Sequence, residues 1–132
     1  MKDTTKNWVN IALKDLKLAE AALDVKEPIG VISHLHASVE KLLKAIFEEL
    51  QGNPPKIHNL KRLAIECCNL KLKENDDKLL ELLDNAFIDS RYPADVYLFD
   101  ERYNSDRCRS MIKETKEIIK WLRSLIENNS II

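Results

Sequence analysis

Glycine is scarce in this sequence, and the shortage limits the possible functions. Only two glycines, Gly30 and Gly52, occur among 132 residues. A glycine-rich loop that holds nucleotide phosphates through backbone N–H groups needs several glycines close together, so that kind of site is excluded. With only four prolines as well, little of the chain is suited to tight turns.

Cysteine is also scarce, and long apolar runs are missing. The three cysteines are an odd number and too few for a disulfide-stabilised fold, which indicates a reducing compartment. No run reaches the ~18 apolar residues that cross a bilayer, and residues 1–8 lack the apolar segment of a signal peptide. We therefore predict a cytoplasmic protein with no membrane partner.

An excess of positive charge is absent too. The net charge is −1, so contact with nucleic acid would depend on a local basic patch rather than on the field of the whole molecule. Hydrophobic residues make up 45% and charged residues 33%, the balance of an ordinary globular protein. The length fits one domain, and we predict a single domain over residues 1–132.

What the sequence has in abundance is helical periodicity. Apolar side chains recur every three or four residues in about five segments. We predict that these helices begin near Thr5, Pro28, His58, Asn75 and Asn104. The fourth should end near Arg91, because Pro93 disfavours helical geometry at Tyr92. The last has a broad apolar face that could serve the core, a second subunit or both. An all-α, up-and-down bundle follows.

The spacing of histidines and cysteines in the sequence does not favour a metal site or a redox site. His34 and His36 point about 200° apart on a helix, so they cannot bind one ion together. The adjacent Cys67 and Cys68 also diverge, and no spacing matches a zinc site. We expect no metal and no cofactor, and we interpret the two cysteines as core and edge residues.

Arginine and aromatic side chains concentrate in residues 90–109. The set is Arg91, Tyr92, Tyr97, Phe99, Arg102, Tyr103, Arg107 and Arg109. Arginines grip phosphate and aromatic rings stack on bases, so nucleotide or single-stranded RNA binding is one interpretation. The alternative is structural: Tyr92 and Phe99 pack into the end of the bundle, and the arginines pair with the acidic residues nearby.

Three segments together resemble the HEPN domain of prokaryotes. They are VISHLHASVEKLLKAIFEEL (31–50), PPKIHNLKRL (54–63) and DNAFIDSRYPAD (84–95). The steps that carry the resemblance are Glu40-Lys41, Leu43-Lys44-Ala45, His58-Asn59-Leu60 and Arg91-Tyr92-Pro93. The resemblance implies an all-α bundle, frequent homodimers and, in many members, a separately encoded minimal nucleotidyltransferase in a toxin–antitoxin-like pair.

Some HEPN proteins are metal-independent ribonucleases, and the resemblance implies a test for that activity. Those members carry an arginine and a histidine separated by four to six residues. After Arg91 the corresponding positions hold Val96, Tyr97 and Leu98, so the histidine that transfers protons is missing. Only a relocated histidine, His58 or His36, could replace it, and only if folding brings it beside Arg91.

We therefore predict a non-catalytic, homodimeric binding module for nucleotide or RNA phosphate that acts with a minimal nucleotidyltransferase. The alternative is a divergent ribonuclease that uses a relocated histidine. The candidate phosphate-binding residues are Arg91, Tyr92, Tyr97, Arg102, Lys41 and His58. Tyr92 should also anchor the turn that follows the fourth helix.

Overall fold

The computed structural model describes residues 1–92 and 94–128, and within these residues it contains helices and no strand. The helices are α1 (Asp3–Asp24), α2 (Pro28–Gln51), α3 (Leu60–Arg62) with a π-helical turn after it (Leu63–Cys67), α4 (Glu74–Arg91), α5 (Val96–Arg102) and α6 (Ser105–Glu127). The predicted all-α bundle is confirmed. In the described part of the chain, no helix has the length and apolar character needed to cross a bilayer.

Helix α2 is the centre of the bundle. It contacts α1, α4, α6 and the π-helical turn, so its side chains are buried on several sides. Helix α1 lies along α2, and Gly30 permits this close approach: a Cβ atom at Gly30 would lie 3.0 Å from Cβ of Ala22. Burial of polar residues such as His36 and Glu40 follows directly from the central position of α2.

The helix boundaries follow from local capping. The side chains of Asn59 and Asn104 accept hydrogen bonds from the backbone N–H groups of Arg62 and Arg107, which starts α3 and α6. The predicted start of the last helix near Asn104 is confirmed, and α3 begins at Leu60, two residues after His58. Helix α4 ends at Arg91 as predicted. Pro93, the residue on which that prediction depends, lies outside the described residues.

Helix α5 was not predicted. The stretch after Pro93 has no long apolar stripe, and only Phe99 of α5 is buried. The helix forms because Asp95 acts as its N-cap: Oδ1 accepts from the N–H groups of Tyr97 at 2.9 Å and Leu98 at 3.3 Å. A seven-residue helix set by one cap gives too short a pattern for periodicity to detect.

The broad apolar face of α6 serves the core. Its buried residues are Cys108, Met111, Ile112, Thr115, Ile118, Ile119, Leu122 and Ile126. Because these residues are buried in the single chain, this face of α6 does not offer a surface to a second copy of the chain. The homodimer remains a prediction, and it requires a different surface.

Candidate functional site

A buried carboxylate, Glu40, is the hub of a polar cluster between α2 and the loop before α3. One of its oxygens lies 2.9 Å from Nζ of Lys44 and 3.2 Å from Nδ1 of His58. Nζ of Lys41 is 3.9 Å away. Burial raises the pKa of Glu40, but the hydrogen bond and charge of Lys44, together with Lys41 and His58, outweigh burial and hold the pKa below its usual range.

One turn earlier on α2, His36 joins this cluster to α4. Its Nε2 atom lies 3.1 Å from Oδ1 of Asp84, and its Nδ1 atom lies 3.8 Å from Oε1 of Glu40. Asp84 also accepts hydrogen bonds from the backbone N–H groups of Leu60 at 2.8 Å and Lys61 at 3.3 Å. The Asp84 carboxylate therefore fixes the start of α3 against α2 and α4.

The ring of Phe87 lies between His36 and Arg91 and contacts both. The imidazole of His36 stacks on Phe87, with ring centroids 4.1 Å apart and planes inclined by 12°. Cζ of Arg91 lies 5.3 Å from the Phe87 centroid, in the range of a cation–π contact. Among the described residues, no carboxylate oxygen lies within 4.0 Å of the Arg91 guanidinium. Arg91 is exposed, so its positive charge is available to a ligand.

A second polar group joins the end of α4 to α5. Asp89 accepts hydrogen bonds from the hydroxyl of Tyr103 at 3.1 Å and from Arg102 at 3.3 Å. Burial and the neighbouring Asp89 raise the pKa of Tyr103. Tyr92 and Arg102 line a surface cavity of about 200 Å³ here, which Asp89 and Asp95 also line. This cavity carries more negative than positive charge, so it suits phosphate poorly.

The six predicted phosphate-binding residues fall into separate places. Lys41 and His58 meet at Glu40, and Tyr92 and Arg102 line the cavity beside Asp89. Arg91 reaches the Glu40 cluster through Phe87 and His36. Tyr97 is 83% exposed on α5. Whether any of these residues binds phosphate stays a prediction.

The structural interpretation of the 90–109 segment is right for part of the set. Phe99 is buried and packs on Tyr103, with centroids 4.7 Å apart. Arg102 pairs with Asp89, and Arg109 pairs with Asp106. Tyr92 is 80% exposed, so the prediction that it packs into the bundle and anchors the turn is wrong. It lies at the surface just after the end of α4, where it lines a shallow cavity with Leu98 and Phe99.

Asp84 was missed by sequence reasoning, and His36 was placed only at the margin of the core. The signal for Asp84 was available: it occurs within the buried stripe of α4, beside Leu80, Leu83 and Phe87. A carboxylate at such a position requires hydrogen-bond donors. Within residues 1–92 and 94–128, no three His, Cys, Asp or Glu side chains converge in a way that could hold a metal ion.

Several of the short segments that resemble a known family lie in this site: Glu40-Lys41, His58-Asn59-Leu60 and Arg91. A family model described as HEPN domain matches residues 5–125, which is nearly the whole chain. The chain belongs to the HEPN domain family. No curated protein and no solved structure shows a significant match to this HEPN chain.

Proposed function

We propose that this HEPN-type module is a homodimer that binds nucleotide or RNA phosphate at Arg91 and acts with a minimal nucleotidyltransferase in a toxin–antitoxin-like pair. The proposal rests on the surroundings of the Arg91 guanidinium. Its guanidinium rests over Phe87 with no carboxylate within 4.0 Å among the described residues, whereas Arg102 and Arg109 are both paired with aspartates.

The chemistry of Arg91 supports a phosphate ligand. A guanidinium that rests over a ring keeps N–H donors on its edge, and these can form paired hydrogen bonds with phosphate oxygens. Tyr92 and Tyr97 are 80% and 83% exposed, so their rings are available for stacking on bases. A strand of RNA crossing this surface would therefore meet both a cation and aromatic rings.

Titration calorimetry with ATP and with a short single-stranded RNA tests the proposal. We expect binding to the wild type and a loss of about tenfold in affinity for Arg91→Ala, the size of one charged hydrogen-bonded contact. Arg109→Ala is the matched control, because Arg109 is also exposed but is already paired with Asp106. Absence of binding to the wild type at millimolar ligand, or an equal loss in both variants, would overturn the phosphate site.

The homodimer is proposed to form through the α4–α5 surface, defined as Ile88, Val96 and Leu98. Each of these three side chains is more than half exposed, and they lie within eleven consecutive positions of the chain. Exposed apolar side chains clustered in this way are typical of protein–protein interfaces. Arg91 lies between Ile88 and Val96 in the chain, so a two-fold axis through this surface would bring both phosphate sites close to one interface.

The nucleotidyltransferase partner is proposed from family membership alone. The test is to co-express the tagged chain with any small nucleotidyltransferase encoded beside its gene, and to ask whether the two purify as a stoichiometric complex. Separate elution of the two proteins in size-exclusion chromatography would remove this part of the proposal and leave phosphate binding untouched.

A ribonuclease is the second candidate. In the described part of the chain His58 bonds to Glu40 and makes no hydrogen bond with Arg91, so this candidate rests on the histidine itself. Glu40 holds Nδ1 of His58, while 73% of the side chain is exposed to solvent. A carboxylate that fixes one ring nitrogen leaves the other, Nε2, oriented for proton transfer. His36 is 2% exposed and cannot reach a bulky substrate, so His58 is the histidine to test.

Incubation of single-stranded RNA with the protein in EDTA tests this second candidate. Cleavage by the wild type that disappears in His58→Ala would support it. His34→Ala is the control, because His34 also bonds a carboxylate, Asp15 at 3.0 Å, on the other side of α2 from Glu40. No cleavage above background, or cleavage that survives in His58→Ala, removes it.

A further inference from the structure

The junction between α1 and α6 forms a shallow groove that the proposed function does not use. Two neighbouring cavities, of about 510 and 280 Å³, lie along it and share Lys116 as a lining residue. Leu13 and Leu16 of α1 face residues 119–127 of α6, and residues 20–24 face residues 109–117, so the two helices run antiparallel. Helix α1 packs mainly on α2, which leaves this junction open to solvent.

The floor of the groove is apolar. It is formed by Leu13, Leu16 and Leu23 of α1 and by Ile112 and Ile119 of α6. The three leucines are only partly buried, unlike the isoleucines beneath them. Leu13 and Leu16 lie one turn apart, and Leu23 lies two turns further along α1. An ion pair between Glu20 and Lys116, at 2.7 Å, crosses the groove between Leu16 and Leu23. The two apolar patches on either side of this pair can accept the apolar face of another helix.

The α6 rim of the groove carries a net positive charge. Its cations are Arg109, Lys113, Lys116, Lys120 and Arg123, and the carboxylates of Glu117 and Glu127 line the same rim. The spacings of the cations, four and three residues, place them on one face of the helix, over about 21 Å at roughly 1.5 Å per residue. Three of them are paired, with Asp106, Glu20 and Glu127. Lys113 and Lys120 have no carboxylate within 4.0 Å in the described part of the chain.

The two rims differ in net charge, and this difference selects the occupant: the α6 side has more cations than carboxylates, whereas the α1 side has carboxylates only. On the α1 side the groove is lined by Glu20 and Asp24, which repel a phosphate backbone. A nucleic acid strand is negative along its whole length and would meet both rims. A helix can carry acidic residues along one flank only, so that they face α6 while its apolar face covers the leucines.

We propose that the α1–α6 groove binds an amphipathic helix of a partner protein whose acidic flank pairs with Lys113 and Lys120. These two lysines lie seven residues apart, so the partner helix needs acidic residues at the same spacing, two turns apart. The floor from Leu13 to Leu23 is about 15 Å long, which is three turns of helix. This docking surface is independent of Arg91 and of the proposed phosphate site.

The experiment uses fluorescence anisotropy with a synthetic helical peptide of four turns, with leucines on one face and glutamates along one flank. We expect micromolar binding to the full chain and a loss of about tenfold for the double variant Lys113→Glu/Lys120→Glu. The control variant Lys56→Glu/Lys71→Glu makes the same charge change at exposed loop positions and should bind as the wild type does. A peptide with lysines along the flank should bind the double variant better than the wild type.

Three outcomes overturn the proposal. The first is equal binding of a peptide with the same composition in scrambled order, which indicates charge attraction without a groove. The second is loss of single-stranded RNA binding in Lys113→Glu/Lys120→Glu with no peptide binding to the wild type, which assigns the α6 rim to nucleic acid. The third is a change in sedimentation of that variant with no peptide binding, which assigns the groove to a second copy of this chain. If the proposal is right, Leu16→Gln should also weaken binding of the peptide, because this change places an amide in the apolar floor of the groove.

Discussion

Nε2 of His36 lies 3.1 Å from Oδ1 of Asp84, in the interior between α2 and α4, where the two side chains are 2% and 8% exposed. A carboxylate only accepts hydrogen bonds, so His36 donates through Nε2. The same carboxylate accepts from the backbone of Leu60 and Lys61, and one side chain thereby connects three helices. The pair joins the fold to the candidate site, because His36 also supports Phe87 and, through it, Arg91.

Replacement of Asp84 by alanine should destabilise the protein strongly. The change leaves His36 Nε2 and the N–H groups of Leu60 and Lys61 buried without their acceptor, at a cost of about 3 kcal/mol in the free energy of unfolding. Urea denaturation at pH 7 measures the loss. Asp84→Asn should lose less, because the amide oxygen still accepts from the backbone.

Asp100→Ala is the control for this prediction. Asp100 is exposed on α5, and its removal should change the free energy of unfolding by less than about 0.5 kcal/mol. A loss for Asp84→Ala no larger than that of Asp100→Ala would show that the buried acceptor does not hold α3 in place.

The buried pair of Glu40 and Lys44 should make folding stability dependent on pH. The pKa of Glu40 is lower in the folded chain than in the unfolded chain, so its contribution is fully present above about pH 4.5 and is lost as the pH falls through the folded value. Glu40→Gln should cost about 3 kcal/mol at pH 7, because it leaves Lys44 buried without a countercharge. The difference between wild type and variant should shrink below pH 4.5.

Urea denaturation from pH 7 to pH 3 measures this difference. Glu66→Gln is the control: Glu66 also pairs with a cation, Arg62 at 3.3 Å, but both side chains are mostly exposed. Its effect should be small at every pH. A constant gap between wild type and Glu40→Gln down to pH 3 would contradict the assignment of the lowered pKa to Glu40.

The fold was largely predictable from sequence, and the site only in part. Long helices such as α2 and α6 repeat their apolar pattern over many turns, so periodicity identifies them. Helix α5 depends on the single cap at Asp95, and one capping residue produces no repeating apolar pattern from which the helix could be predicted. Likewise, the meeting of His58 with Glu40 depends on how the loop before α3 returns to α2. Residues 18 positions apart come into contact through tertiary packing, which helical spacing does not encode.

Thiol chemistry should distinguish the three cysteines. Burial raises the pKa of Cys68 to about 12 and also raises the pKa of Cys108, so neither supplies much thiolate near neutral pH. Both thiols are buried and donate to backbone carbonyls, of Leu43 and Tyr103. The burial of Cys68 and partial exposure of Cys67 confirm their interpretation as core and edge residues.

Reaction with a chromogenic disulfide at pH 8 should therefore modify Cys67 first, with the other two thiols reacting only on unfolding in urea. Cys67→Ser should abolish the early phase. It should also reduce by one the total number of thiols that react in urea. An early phase that persists in Cys67→Ser would show that one of the buried cysteines is accessible in the folded chain.

The α4–α5 surface should control self-association. A dimer through this surface would bury Val96 and Leu98, which are 53% and 59% exposed in the single chain. Val96→Glu/Leu98→Glu should therefore shift a dimer towards the 15.3 kDa monomer. The two new glutamates fall in the first turn of α5, where negative charge interacts favourably with the positive end of the helix dipole, so the helix should be retained. Ile11→Glu/Leu18→Glu makes the same change on exposed positions of α1 and should leave the dimer intact. Sedimentation equilibrium at micromolar concentration distinguishes these species, and a monomeric wild type under those conditions would refute the dimer.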